Sequence, residues 1–460
     1  MQAFNTLQHI TEMAARDEME RLERISAASK AYYAKYVPPL KTLPDKADDN
    51  VTPNFARIIV DKGASFLFGK GVDLDIERGE DDAPGNPRKK QPDEEWLDEC
   101  LKFNKFSALM MNAATTGGIA GHTFLKLNGV KPGQKYPRII ALDANAVTVT
   151  TDPEDIADVL RYRIQFNAID PKTAKPLVRR QVIEKTDNGM WQISDYAARA
   201  GGEFIQMGDV IQWPFAWSPI VDCQNLPAPN AYLGMSDLEP DILHLIGRIH
   251  YILSNTGRLN RFHAHPKTVG SGFQGTELRV APDETILLPS SDAKLNLLEA
   301  HGDIAGSLAL YDKLHDLLFM LSRVPPVSVG KMETIGAVAG VALQILYAPI
   351  MEMTSAKRML YTPLLESLGE HLLDMGGFDG RKVEVIWPDP MPQNEVEKRQ
   401  VYSEDLAMGV VDKETVSTRL GYDWAQVQQR MSANGTDAAN ALLTAMENRP
   451  PAPGDLSAQN

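Results

Sequence analysis

The stretch from Ser307 to Met359 limits what this chain can fold into more than any other. Its first part, SLALYDKLHDLLFMLS, has the recurring apolar spacing of a helix and stops at Arg323-Val324-Pro325-Pro326. Proline removes a backbone donor and crowds the preceding turn, so the helix must end there. A second, Gly/Ala-rich segment follows, VSVGKMETIGAVAGVALQILYAPIMEMTSAKRM. The small residues from Gly336 to Ala342 suit a closely packed internal helix. Yet Pro325, Pro326 and Gly330 surround Val327, Val329, Lys331 and Met332, an awkward composition for a simple buried hairpin turn.

At 460 residues the chain exceeds one simple core, and roughly two to four domains are expected. An apolar content of 43% favours folded domains over disorder. With 47 basic and 61 acidic residues the formal net charge is −14. That balance disfavours tight non-specific wrapping of DNA, which needs clustered cations, but is compatible with DNA sliding past a repelling wall. Cys100 and Cys223 suit a reducing compartment and make no disulfide framework. Asp17, Glu18, Glu20 and Glu23 near the N-terminus do not read as a signal peptide. The most apolar run, residues 335–353, is interrupted by Gln344, Pro349 and Glu352, so no membrane span is expected.

Residues 9–37 read as a helix stopped by Pro38-Pro39, and residues 54–68 as a helix closed by Gly69. Residues 72–76 alternate as a short strand, and 77–91 form a charged loop. Residues 96–114 read as one helix giving way through Thr115-Thr116-Gly117-Gly118-Ile119-Ala120-Gly121 to strands. Those strands, at 122–127, 139–142, 146–150, 159–166, 177–185 and 190–193, are expected in one antiparallel unit. The glycines lack phosphate-loop spacing and read as a turn into the sheet.

Ser236-Asp237-Leu238-Glu239 has the spacing of a capping box. Ile242, Ile246, Ile249 and Leu253 then make one apolar stripe; a helix over 237–262 would be roughly 39 Å long. Strand-like pieces follow at 267–269, 277–280 and 285–288, then a helix with a stripe of Ile304, Leu308, Tyr311, Leu314, Leu318 and Leu321. The local pattern is thus helix, small β module, helix. Beyond Gly340 a helix runs to about Asp374, which Pro349 and Pro363 should kink or divide. A strand at 383–386 and short helices at 395–408, 412–420 and 424–431 precede a tail expected to be mobile.

No catalytic centre emerges. His263, His265 and His301 flank the β module without the carboxylate or cysteine spacing of a metal site. No H-E-x-x-H, G-x-S-x-G or C-x-x-C occurs, and no cofactor, metal or enzymatic activity is expected. A soluble mixed α/β metabolic enzyme is the alternative reading, though nothing in the sequence supplies its pocket.

Several segments in order resemble the portal proteins of tailed bacteriophages, of the SPP1 type. NFARIIVDKGASFLFGKGV, residues 54–72, is similar to the family's asparagine, I-V-D and F-G-K-P-V stretch, with Gly71 where proline is usual. Tyr232-Leu-Gly-Met-Ser-Asp-Leu238 resembles its G-x-S-D-L start of the first channel helix. Gly306 to Leu310, and more closely Val338 to Leu343, resemble its S-G-x-A-L pattern. Trp387 to Pro392 and Gly409 to Thr415 resemble its strand exit and G-x-x-S-x-E-T turn, with Asp412 in the serine position.

The resemblance, over residues 50 to about 430, implies an α+β portal fold: long channel-lining stem helices, a small inserted β clip, a mixed α/β wing and an α-helical crown, assembling as a ring. It implies a wing at 1–235, stem helices at 236–262 and 304–322, a clip at 263–303 and a tunnel loop at 323–340. A long kinked wing helix and strand (341–392), a crown (393–435) and a mobile tail (436–460) complete it. About 12 copies would form a homo-oligomeric ring, burying the tunnel loop between subunits. Implied partners are the large terminase subunit, a head–tail connector or adaptor, major capsid and scaffolding proteins, and double-stranded DNA in the channel, with no membrane. Implied localisation is the portal vertex of the virion, and host cytoplasm during assembly. On that basis Lys331, Val327, Val329 and Met332 are candidates to face the channel. Arg248, Arg258 and Arg261 are candidate stem charge contacts. Lys267, Glu277, Arg279, Asp283 and Glu284 are candidates for docking at the clip.

Overall fold

The structure, a computed structural model, describes residues 2–42, 48–77, 91–170, 173–199, 202–264, 267–271, 294–298, 304–329, 340–391 and 395–420, with Trp424, Val427, Gln428 and Arg430. It divides into two compact units, Met1–Pro390 and Met391–Asn460.

In the first unit, helix α1 (Gln2–Tyr32) ends five residues before the two prolines expected to stop it. Asn54 takes over there: its Nδ2 donates to Tyr32 O at 2.8 Å, and its Oδ1 accepts from Arg57 N at 3.0 Å. One side chain therefore closes α1 and caps α2 (Phe55–Phe68), supplying an orphan donor with its partner. Phe55, Ile59, Val60, Leu67 and Phe68 of α2 are buried. Strand β1 (Asp73–Ile76) follows as expected, while the expected loop continues into 78–90, outside the described residues.

The single helix expected at 96–114 is two, α3 (Pro92–Phe103) and α4 (Phe106–Ala120). Lys105 breaks them apart at φ 51°, and Asn104 secures the break by donating to Cys100 O and Pro137 O and accepting from Ile139 N. The glycines expected in a turn lie inside α4; only Gly121, at φ 86°, makes the turn. A side chain at Gly121 would also collide with Gly234 O, 2.5 Å from its Cβ position.

The strands are β2 (His122–Asn128), β3 (Arg138–Leu142), β4 (Val147–Thr151), β5 (Val159–Ile169), β6 (Pro176–Lys185), β7 (Trp191–Arg199), β8 (Ile205–Gln206), β9 (Ile211–Gln212) and β10 (Ile220–Gln224). They make two sheets, not the expected one. The first has the order β10-β2-β3; the second runs β4-β5-β6-β7-β8, with β9 also on β7. Periodicity marked β2 to β7 but neither β8, β9 and β10 nor any strand's partner: β2 pairs with β10 nearly a hundred residues on, Phe124 opposite Asp222.

Helix α5 (Pro240–Ala264) enters a hairpin of β11 (Lys267–Ser271) and β12 (Lys294–Leu298), with Lys267 opposite Leu298. The expected strands at 277–280 and 285–288 lie outside the described residues. Helix α6 (Ile304–Ser322) returns, and a 3₁₀ turn, Pro326–Val329, follows Arg323 at φ 58°. Helix α7 (Gly340–Met375) is assigned as one element through both Pro349 and Pro363, so the prolines do not divide it. Its Leu364, Leu365, Leu368, Leu372 and Leu373 fill the main core against α2, α3, α4 and β2. Strand β13 (Val383–Ile386) closes the unit on β1.

In the second unit, α8 (Glu395–Met408) and α9 (Lys413–Arg419) match the expected helices. Asp412 caps α9 by accepting from Thr415 N at 2.9 Å. Of the expected helix at 424–431, the four described residues are helical.

Candidate functional site

The helix, β module, helix pattern is present as α5, the β11–β12 hairpin and α6, with α5 and α6 packed on each other. Ile242, Ile246 and Ile249 of α5 are buried, and the capping box forms in part: Ser236 N donates to Glu239 Oε1 at 2.9 Å. The far end of the stripe is polar instead. Ser254, wholly buried, accepts from Val51 N at 2.9 Å. His250 Nε2 lies 2.9 Å from Pro53 O, which can only accept, so Nε2 carries the proton. Burial pushes the His250 imidazole below its ordinary range.

Arg258 grips Asp49 with its Nη2 at 2.8 Å from Oδ1, and Arg261 holds the other oxygen. Arg258, together with Arg261, keeps the Asp49 carboxyl below the usual carboxylate range. Two of the three arginines read as stem charge contacts therefore meet an acidic residue of their own chain. Arg248 is exposed and has no ion pair among the described residues.

Helix α6 departs from expectation. Of its anticipated stripe only Leu318 is buried, while Leu308 and Leu321 are 48% and 46% exposed. The covered face is shifted to Leu318, Phe319 and Ser322, because Phe319 and His315 pack edge-on against Phe55 of α2. Leu310, Leu317 and Met320 are exposed as well.

At the base of α5 lies a lock that sequence patterns did not signal. Lys357 Nζ of α7 donates to Asp237 Oδ2 at 2.7 Å, both side chains 2% exposed. Asn225 Nδ2 donates to Asp237 Oδ1 at 2.9 Å, and Asp237 N donates to Gly118 O at 2.8 Å. The pair fits because α4 and α2 present glycines to it: a Cβ on Gly118 would stand 2.8 Å from Asp237 Oδ2, and one on Gly63 3.1 Å. The Gly-Gly step inside α4 is thus a close-approach surface.

A second buried polar group joins the two larger sheets. Asp222 accepts from Tyr162 OH at 2.7 Å and from Tyr232 OH, and lies 2.7 Å from His122 Nε2. Burial, then the Asp222 charge, pushes both tyrosines well above their ordinary range. A His–Asp pair resembles part of a catalytic triad, but His122 and Asp222 are only 4% and 8% exposed. Their role here is to tie β5 to the β2–β10 pair.

The remaining candidates fall as follows. Val327 sits half-buried in the 3₁₀ turn; Val329 ends that turn, and its side chain is outside the described set. Lys331 and Met332 are outside the described residues. Lys267 stands on β11, its side chain outside the described set, and Glu277, Arg279, Asp283 and Glu284 are outside the described residues. So are His265 and His301; among the described residues no His, Cys, Asp or Glu cluster could hold a metal ion, and no helix is long and apolar enough to cross a membrane.

A family model described as "Phage portal protein, SPP1 Gp6-like" matches residues 14–177 and 267–439. The match takes in α2, α4, the β11–β12 hairpin, α6 and α7, and leaves out 178–266, where α5 and its Ser-Asp-Leu start lie. No curated protein matches the chain.

Proposed function

Because the chain belongs to the SPP1 Gp6-like family of phage portal proteins, structural conduits and not enzymes, we propose that it forms the ring channel at one capsid vertex. Membership carries a general DNA-packaging role, a capsid context and the usual phage partners, terminase and capsid protein. In the finer reading, about 12 subunits close a ring. Residues 236–262 and 304–322 form its stem, 263–303 the clip that meets terminase and then the connector, and 323–340 the tunnel loop. Residues 1–235 and 341–392 build the wing and 393–435 the crown, with 436–460 as the tail. Lys331 would approach the DNA phosphates beside Val327, Val329 and Met332. Glu277, Arg279, Asp283, Glu284 and Lys267 would belong to the clip surface.

The observation that carries this reading is the uncovered apolar side of α6. Leu310, Leu317, Met320 and Leu321 share one side of the helix and are 42–65% exposed in the single chain. An apolar helix face in water marks an interface, and a closed ring covers it with a different surface of the neighbouring copy, head to tail. A net charge of −14 is compatible with DNA passing without adhering.

Native mass spectrometry with negative-stain imaging of the purified chain or the native particles tests this. The expected result is a ring of about 12 copies around an open channel. Rings in which residues 323–340 lie inside single subunits, away from the symmetry axis, would overturn the channel assignment.

A further inference from the structure

A cleft of about 490 Å³ opens where the β10-β2-β3 sheet diverges from the larger sheet. That volume falls in the range of roughly 300–1,000 Å³ typical of ligand sites. Strand pairing dictates what enters it. On β2 and β3, Lys126 lies opposite Ile140. On the facing sheet, Phe166 lies opposite Arg179, and Ile164 opposite Gln181, which in turn lies opposite Asp195. Alternation along a strand sends these partners to one face.

Three features give the cleft its chemistry. Its apolar part is incompletely covered: Ile140 and Phe166 are 38% and 47% exposed. Its rim is cationic, for Lys131 is exposed, Arg179 half-buried, and neither has an ion-pair partner among the described residues. At its floor Lys126 Nζ crosses between the sheets to Gln181 Oε1, while Gln181 Nε2 donates to Asp195 Oδ1 at 2.8 Å. The lysine thus rests on a neutral amide, and burial lowers its ammonium below the ordinary range with Asp195 opposing. Two of its three N–H donors have no protein acceptor in the hydrogen bonds of the described residues.

We propose that this cleft docks an acidic peptide segment of a partner protein, one that inserts an apolar side chain between Ile140 and Phe166. Its carboxylates meet Lys131, Arg179 and the spare donors of Lys126. Asp195 and the amide of Gln181 give the peptide backbone both an acceptor and a donor. A duplex is too wide for a space of this size, and the exposed Ile140 and Phe166 suit the apolar side chain of a peptide. In a chain of net charge −14, a cationic cleft with unpaired arginine and lysine selects for an acidic partner. The inference does not rest on the portal reading, since binding is measured on the purified chain whatever ring it forms.

The test is fluorescence anisotropy of the full chain with a labelled peptide alternating glutamate and leucine. A lysine–leucine peptide, an all-glutamate peptide and an oligothymidylate are run in parallel. The glutamate–leucine peptide should bind at least about tenfold tighter than the other two peptides. The double variant Lys131→Glu/Arg179→Glu should weaken it about tenfold or more, as should Ile140→Ser/Phe166→Ser. Arg163→Glu, exposed on the opposite face of β5, should change it less than about twofold. Thermal melts confirm folding, and Lys131→Gln/Arg179→Gln replaces the reversal should that variant not fold. Equal loss with Arg163→Glu would reduce the effect to general charge and overturn the proposal. So would oligothymidylate displacing the peptide through the same residues, which would make the cleft a nucleic-acid site. Binding that disappears when subunits assemble would overturn it too, by assigning the cleft to a neighbouring copy.

Discussion

Lys357 and Asp237 are opposite charges withdrawn almost wholly from water, 2.7 Å apart. Such a pair contributes little net stability, but removing one partner strands the other. Lys357→Met is expected to destabilise the first unit by about 3–5 kcal/mol in urea denaturation, and adding Asp237→Asn should recover much of the loss. An unchanged midpoint in the single variant would mean that water reaches Asp237. A different residue governs acid behaviour. His371 stacks on Trp217 at 3.9 Å, its Nδ1 buried without a partner among the described residues, and burial lowers its pKa to about 4. The native state therefore binds fewer protons than the unfolded one between that value and the ordinary 6.5. Stability from this group is complete above pH about 6.5, falls as pH drops to about 4 and levels below it, with roughly 3 kcal/mol as the upper bound. His371→Gln should flatten that part of the stability–pH curve; an identical slope would remove His371 as its source.

Among the helices, α6 separates what stabilises the subunit from what is left for assembly. Leu318 is fully buried, so Leu318→Ala should cost about 2–5 kcal/mol of subunit stability through lost burial and the cavity left behind. Met320 is 65% exposed two residues away, and Met320→Asp should change subunit stability by no more than about 0.5 kcal/mol. In assembly the order reverses: the buried charge of Met320→Asp should abolish rings in native mass spectrometry. Rings that form normally with Met320→Asp would place that face away from any neighbour. The α4 element makes a similar point about reading helices. Its Thr-Thr-Gly-Gly run has poor helix propensity and alone reads as a turn. It is helical because Gly117 and Gly118 admit Tyr361, Thr123 and Asp237 to within contact of its backbone.

For the whole assembly, Lys331 carries the most direct test of the channel reading. With Lys331 facing the channel as proposed, Lys331→Ala should leave the subunit folded, since an exposed charge there would contribute little to stability. Packaging rate and DNA retention in a reconstituted motor should change, and the change should shrink as salt rises, because a lysine–phosphate contact gains from counterion release. Indifference at both salt concentrations would take Lys331 off the DNA path, and a failure of ring assembly would make it an interface residue.

Local pattern sufficed for features that depend on neighbours in sequence: the capping box at Ser236, the stripe of Ile242, Ile246 and Ile249, the break after Ser322, and the helix–hairpin–helix order. Motif order also sufficed for the family, because short segments in a fixed sequence are read without coordinates. Long-range choices were not legible there. Two sheets form where one was expected because β2 has to pair with β10, and apolar alternation does not name a strand's partner. The buried stripe of α6 is rotated because Phe55, some 260 residues earlier, claims Phe319 and His315. Arg258 and Arg261 turn to Asp49, and Asp237 finds Lys357 120 residues on, for the same physical reason. A charge's partner is set by which surfaces the folded core brings together, and no periodicity in the chain records that.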